Sequence, residues 1–596
     1  MASRPDQGQA GPATPRGGAA QASQALSLGA LPCARSDASP DAPPDAPLGV
    51  WPGARAGATA GALALAGCAT APDAPISTPA HAAAAQAAAG LTPQQASRFL
   101  AQAAFGATPE SIARVQAIGP EQWIDEQIAM PPTQGHVAWL HENDYAHERF
   151  RNTVQGTENT LWRKLIDSPD ALRQRVTWAL SEIFVVSIPG LPVAWRPFVA
   201  AHHMDLLEAH AFGRYRDLLG AVTLSPAMGV YLNMRGNRKA DPATGRLPDE
   251  NYAREVLQLF SIGLLELRPD GRPRTDWRGR PIETYDQSTV AGLARVFTGW
   301  NLDRFDRNRQ DWASRPMVFN RAQHEPGEKR FLGHTIAAGT PGPQALEQAL
   351  DVIAAHRNVG PFIGRQLIQR LVTSNPSPAY VRRVAQAFAD NGQGVRGDLG
   401  AVVRAVLLDE EARRDPSPQE REAGRLREPV ERFVQWARTF GATSNNRKWA
   451  IGITGDAATR LGQSPLRAPS VFNFFRPGYL PPNSALAARG LQAPEFQLVH
   501  ESSVVAWVNF AQQFVGAGIA DVRADYAREL PLAGDAQALV AHIDLLLAAG
   551  ALSGAARELI TQAVQSMPAQ TPAQQRARVL AAVHLVLCSP DYLVAV

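Results

Sequence analysis

From Leu91 to Val596 apolar residues recur three and four positions apart, and this one periodicity limits the chain to a body of packed helices. Thr92 opens a run in which Ala96, Phe99, Leu100 and Ala103 share a face, and Gly106 closes it. Pro109 and Pro120 restart helices, the second carrying Trp123, Ile124 and Ile128. The spacing predicts a long apolar-faced helix over 171–186 (Val176, Ala179, Leu180, Ile183, Phe184), ended by Pro189-Gly190. Helices over 202–211 and 215–224 follow, then one starting near Asp249 that stacks Ala253, Val256, Leu257 and Phe260 and stops at Gly263. Helical spacing resumes at Pro343 and runs to about Leu408, returns over 427–440 and 492–514, and yields three or four more helices to the C-terminus. No repeat of fixed period emerges.

Two stretches break the pattern. Residues 266–285 carry the turn signals Pro269-Asp270-Gly271 and Gly279-Arg280-Pro281. Residues 303–343 are irregular, with extended pieces at Met317-Val318-Phe319 and from Lys329 to Leu332 that suggest a small hairpin. The expected fold class is therefore mainly α: a large multi-helix globular body over 91–596, helical over 91–265 and 346–596, with a loop-rich, partly β insertion around 266–345. Loops longer than about 12–15 residues in a compact domain tend to be functional, which directs attention to that insertion. Residues 410–425 read as a charged, exposed linker.

Composition excludes several classes. Hydrophobic residues make up 45% of the chain and charged ones 19%, as in an ordinary globule. The net charge is +3, only four of the 58 basic residues are lysines, and no basic block of five occurs, so no nucleic-acid partner is expected. The three cysteines, Cys33, Cys68 and Cys588, offer neither a disulfide framework nor a Cys-based zinc site.

Leu65-Ala66-Gly67-Cys68 reads as a lipoprotein-processing site. A small apolar run from Ala56 to Ala66 precedes it, Arg55 supplies the positive flank, and an Ala/Pro-rich tether over 68–90 follows. Cys68 is then the lipidated residue. The expected order is a segment 1–49 without apolar periodicity, outside the true gene product if translation starts at Val50, then a lipoprotein signal peptide over 50–67. The implied location is the cell envelope, with the protein held to a membrane through the lipid anchor. Ala69 after the cysteine points to the outer membrane.

Familiar catalytic signatures are absent. The chain has no Gly-x-Ser-x-Gly elbow, phosphate loop or Gly-x-Gly-x-x-Gly, and no His-Glu pair is followed by a second His at helical spacing. His203 and His210 stand two turns apart, about 10.5 Å along a helix, too far to share one ion. No metal site and no cofactor are expected. Two polar groups remain. Glu250, Asn251, Arg254 and Glu255 gather at a helix start that Asp249 is placed to cap; they form either a set of satisfied helix pairs or a site for a polar ligand. His324 and Lys329 flank a turn in the insertion and serve either acid–base or anion-binding chemistry or a simple charged turn. The aromatic run Phe472-Asn473-Phe474-Phe475-Arg476-Pro477-Gly478-Tyr479 is either core or a platform for sugar rings.

Several segments in order resemble the bacterial family known as domain of unknown function 1800. They include Arg173 to Val176, Ser181-Glu182-Ile183-Phe184, Ala211 to Leu219, Pro226-Ala227-Met228, Asn251 to Glu255 and Gln258-Leu259-Phe260. Ala294 to Trp300, Lys329 to Gly333, Val372 to Pro376 and Arg427-Glu428-Pro429 continue the match. The resemblance implies a large, mainly helical, exported protein. It also implies a partner from an exported family resembling sulfatases or alkaline phosphatases. This chain has Ser181 and Ile183 where many members carry paired histidines, so a metal role of those histidines does not carry over. Two functions follow as expectations: a lipid-anchored scaffold or binding subunit serving a secreted enzyme or surface polymer, or a hydrolase acting on an envelope or extracellular polymer.

Overall fold

The computed structural model describes residues 90–596 apart from 416 and 418–422. The segment 1–49, the leader 50–67, Cys68 and the tether up to residue 89 lie outside the described residues. Among the described residues the fold is mainly α, with four two-stranded antiparallel pairs and no larger sheet. Among the described residues no helix is long and apolar enough to cross a membrane.

Local chemistry explains most helix starts. Thr92, Thr108 and Thr571 each accept from the backbone N–H three residues on while that residue's side chain returns the bond, and proline occupies the first helical turn in all three. The apolar faces so produced pack into two cores. The first gathers Phe99, Leu172, Val176, Phe198, Leu218, Phe260, Leu293, Ile368 and Val403 from helices between 93 and 408. The second is built on the helices Pro429–Thr439 and Glu501–Ala517 and those after them. Its centre is aromatic: Phe514 meets Trp436 at 4.5 Å and Phe433 at 5.2 Å between ring centroids. Trp162 and Trp178 belong to this second core although their helices start in the first half of the chain.

Three expectations need correction. The helix predicted over 171–186 is Ala171–Ser181; Glu182 caps it, and the β-branched run Ile183 to Val186 leaves it as buried non-helical chain. The extended pieces 317–319 and 329–332 do not pair with each other. Val318–Phe319 pairs with Trp300–Asn301, and Lys329–Phe331 turns back on His334–Ile336 through Leu332 and Gly333 at φ +47 and +74. Residues 410–425, expected as an exposed linker, begin with the helix Glu410–Arg413, which buries Ala412, and end on the buried Arg425 of the strand Arg425–Leu426, which pairs with Val594–Ala595. Within 266–345 lies also a core helix, Gln287–Val296, whose Gly292 lets the backbone of Arg330 approach to where a Cβ would stand 1.7 Å from its carbonyl oxygen.

Candidate functional site

The six residues expected to form a polar site do not meet in one place. Glu250 precedes the helix Asn251–Gln258, pairs with Arg254 at 3.1 Å and accepts from Gln287 at 2.6 Å. Asp249 caps this start one residue further out, its carboxylate accepting from the Asn251 N–H at 2.8 Å. Glu255 points the other way and is buried, with Oε2 unpartnered; burial raises its pKa and, together with the Glu255 charge, pushes the Tyr285 phenol up to about 12. His324 and Lys329 form a separate pair. Nδ1 of His324 lies 2.9 Å from the Thr298 carbonyl, Nε2 is buried without a partner, and burial lowers its pKa. Lys329 is fully buried, donates to the Gly327 carbonyl at 3.0 Å, and is also lowered by burial. Gln287, which contacts the first group, and Arg295, which donates to Glu328 beside the second, sit at opposite ends of the helix Gln287–Val296. Eight residues of helix separate them by roughly 12 Å.

The histidines of the helix Arg196–Ala209 also go their own ways. His203 is buried, bonds the Phe184 carbonyl at 2.9 Å, and is held neutral by a pKa that burial lowers to about 4. Asp205 and Glu208 of the same helix meet His136 of the helix His136–Glu142, the one group of three such side chains close enough for a metal among the described residues. Their atoms are already engaged. Asp205 accepts the N–H groups of His136 and Val137, and Glu208 takes His136 on one oxygen and the Lys164 ammonium at 2.8 Å on the other. An ammonium in that position fills the charge role a cation would take.

Chemistry converges elsewhere. A cavity of about 630 Å³ opens between the end of the helix Ala171–Ser181, the turn 258–267, the helix Val359–Leu371 and the loop 471–480. Its walls are mostly apolar: Leu259, Leu264, Leu265 and Leu267 on one side, Phe362 and Phe472 on others, with Gln258 and Arg476 among them and the exposed Leu264 and Leu480 at the mouth. Its floor is polar and buried, made of Glu182, Gln366 and Arg370.

Each wall is held by identifiable bonds. The fully buried Asn358 donates to the carbonyls of Ile262 and Leu265 at 2.9 and 2.8 Å and accepts from the Leu267 N–H at 3.0 Å, so one amide shapes the leucine turn. Gly263 in that turn has φ +69, and a Cβ there would lie 2.7 Å from the Phe362 ring. On the other side Gln369 donates to the Pro477 carbonyl at 3.3 Å and to Gln492 at 2.9 Å, while Gln492 and Asn375 exchange two bonds of 2.9 Å. Asn473 takes a left-handed conformation, φ +63, and donates to Glu182 Oε1 at 3.1 Å. Arg476 lies over the Phe472 ring at 4.9 Å. The aromatic run is thus mostly a cavity wall, with Phe475 the member that is buried.

Behind the floor lies a network of buried charges. Arg370 Nε stands 3.4 Å from Glu182 Oε2, and its terminal nitrogens donate to the carbonyls of Glu182 and Gln366. Arg175 and Arg425 grip the two oxygens of Glu431 at 2.7 and 2.5 Å, and Arg425 reaches Glu495 at 4.0 Å. Glu428 accepts from Gln463 at 2.5 Å and adjoins Glu182. Burial pushes both Glu182 and Glu428 up; the Arg370 guanidinium and the Asn473 amide offset part of this at Glu182, whereas the Glu182 charge adds to it at Glu428. Glu182 Oε2 and Arg370 Nε have only each other at 3.4 Å, and Nε2 of Gln366 has no acceptor. Buried carboxyls with raised pKa values beside a cavity make this floor the candidate site.

The sequence reading passed over Glu182, Gln366, Arg370 and Glu428 as site residues, although Glu182 and Glu428 fall in segments that carried the family resemblance. The available signal was Glu182 alone before the apolar run Ile183-Phe184-Val185-Val186, a carboxylate with nowhere to go but the interior. Fold and site together define a helical protein with a deep amphipathic pocket. The chain belongs to the DUF1800 family, proteins of unknown function, whose family model matches residues 98–594. No curated protein and no solved structure matches it.

Proposed function

We propose that this is a lipid-anchored envelope protein that binds an amphipathic ligand in the pocket above Glu182, Gln366 and Arg370. One observation carries the reading: an apolar-walled cavity of about 630 Å³ ends on the buried polar side chains of Glu182, Gln366 and Arg370. Cavities of about 300–1,000 Å³ with few convergent polar groups suit small-molecule recognition. The anchor rests on the Leu65-Ala66-Gly67-Cys68 sequence. Cys68→Ser is expected to move the protein from the membrane fraction to the soluble one, and an unchanged distribution removes the anchor from the proposal.

Binding is tested with N-phenyl-1-naphthylamine, a neutral dye whose fluorescence rises in apolar surroundings. Saturable enhancement with the native chain, lost in Leu264→Arg at the mouth and in Leu259→Trp within the wall, supports the pocket. Enhancement that survives both substitutions excludes it.

A hydrolase reading draws on one specific feature: Glu182 lines the pocket floor, and burial beside Glu428 pushes its pKa up. A carboxylic acid kept neutral by burial at the edge of a pocket is equipped to protonate a leaving group. Turnover of p-nitrophenyl esters or glycosides, abolished by Glu182→Gln with dye binding retained, would favour hydrolysis; dye binding without turnover leaves the binding function.

A further inference from the structure

The charges that line the pocket are unevenly placed, and this decides what a ligand's head group meets; the inference rests on the binding reading above. Three side chains of the lining carry charge: Glu182, Arg370 and Arg476. Glu182 and Arg370 are 4% and 3% exposed, stand against each other at 3.4 Å, and have their facing atoms closed off from the cavity. A ligand meets them as a sealed ion pair. Arg476 differs. It is exposed at the cavity wall, its guanidinium lies 4.9 Å from the centre of the Phe472 ring, and among the described residues no carboxylate pairs with it. Its backbone N–H donates to the Gln497 side chain at 2.7 Å, and the next residue, Pro477, has its carbonyl held by Gln369, so the chain that presents this guanidinium is anchored.

The lining thus sets two guanidiniums against one carboxylate, and the unmatched one is the one a ligand can reach. A planar guanidinium backed by an aromatic face suits a carboxylate or phosphate, whose oxygens it can hold through two parallel hydrogen bonds. A cationic head would meet an uncompensated positive charge, and a neutral head would leave that charge unanswered. Leu259, Leu264, Leu265 and Leu267 offer aliphatic surface in the same cavity, which suits a hydrocarbon chain better than a hydroxylated ring. We propose that the ligand is a single-chain anionic amphiphile, its carboxylate or phosphate monoester head paired with Arg476 at the cavity wall and its aliphatic chain laid against the leucine turn. The ligand is bound and released unchanged; no covalent step is required.

Displacement of N-phenyl-1-naphthylamine from the full chain at pH 7.5 tests this with four probes of equal chain length: octanoate, octyl phosphate, octanamide and octyltrimethylammonium. At least one anion is expected to compete about fivefold or more better than octanamide, and the ammonium to compete worst. The tighter anion identifies the head group. In Arg476→Gln the advantage of that anion over octanamide should disappear, and in Arg476→Glu the ammonium should overtake both anions. Octanamide or the ammonium competing as well as both anions overturns the head-group assignment while leaving the pocket in place, and so does an anion advantage unchanged in Arg476→Gln. Absence of dye binding in the native chain overturns the pocket reading and this inference with it. The comparison among the four probes needs no variant, so a poorly folding variant leaves the test intact.

Discussion

Buried carboxyls define this protein at the scale of single residues. Glu182, Glu428, Glu431 and Glu495 share an interior with Arg175, Arg370 and Arg425, and each unpaired charge there is strongly unfavourable. The chain meets this by retaining protons. Burial and the neighbouring Glu182 push Glu428 well above the ordinary carboxylate range, and burial lifts Glu495 to about 8. The unfolded chain releases the Glu495 proton near its ordinary value of 4.5, so between 4.5 and about 8 the native state holds more protons. The stability this group contributes is full below pH 4.5 and is lost as pH rises through 8. Calorimetry at pH 5, 7 and 9 is expected to show native stability falling relative to Glu495→Gln with each step; a difference that is constant or grows with pH contradicts the buried, protonated assignment. Little of this was legible in sequence: Glu182 before an apolar run hinted at burial, but the raised pKa values arise only when segments more than two hundred positions apart meet, as Glu182 and Glu428 do.

At the scale of elements, where a helix stops matters as much as where it runs. The end of Ala171–Ser181 before its apolar run is over puts Glu182 on the pocket floor instead of on a helix flank. The apolar spacing continued to Phe184 and so predicted a longer helix, because periodicity registers which residues are buried and not whether the backbone stays helical around them. The leucine turn shows the same division. Leu264, Leu265 and Leu267 were visible as apolar residues after Gly263, yet the clamp that shapes them comes from Asn358, about ninety positions away. Asn358→Ala removes three buried hydrogen bonds at once and strands the groups they satisfied, each worth about 1–3 kcal/mol when left unmet. The expected outcome is a loss of at least about 2 kcal/mol in denaturant unfolding together with weakened dye binding. Dye affinity equal to the native protein's would mean that the turn holds its shape without the clamp.

For the whole molecule the decisive feature is the joint between two cores. Trp178, on the helix that leads to Glu182, packs in the second core, while Leu172 and Val176 of the same helix pack in the first. Arg175 between them pairs with Glu431 of the second core's central helix and donates to the Arg370 carbonyl at 2.5 Å. The ionic network therefore lies where the two cores meet, and the pocket opens at its edge. Glu431→Gln leaves two guanidiniums without their counter-charge, a loss of about 3–5 kcal/mol. Native unfolding is expected as one calorimetric transition over 90–596, and the variant's as two resolved transitions, one for each core. A variant that still unfolds in one step would show that apolar packing alone couples them.

Fold class and the order of helices followed from the sequence alone, because helical periodicity, threonine caps and proline starts act within a few residues of one another. The likeness of the segments from Arg173 to Pro429 to a known family was equally local and legible, and the family assignment agrees with it. The site was not local. Glu250 and Arg254 stayed together as near neighbours on one helix start, His324 and Lys329 as near neighbours around one turn, and the two groups touch opposite ends of the helix Gln287–Val296. Glu182, Gln366, Arg370 and the leucine turn became one surface only through packing, since tertiary contacts decide which carboxyls are buried and how their pKa values shift.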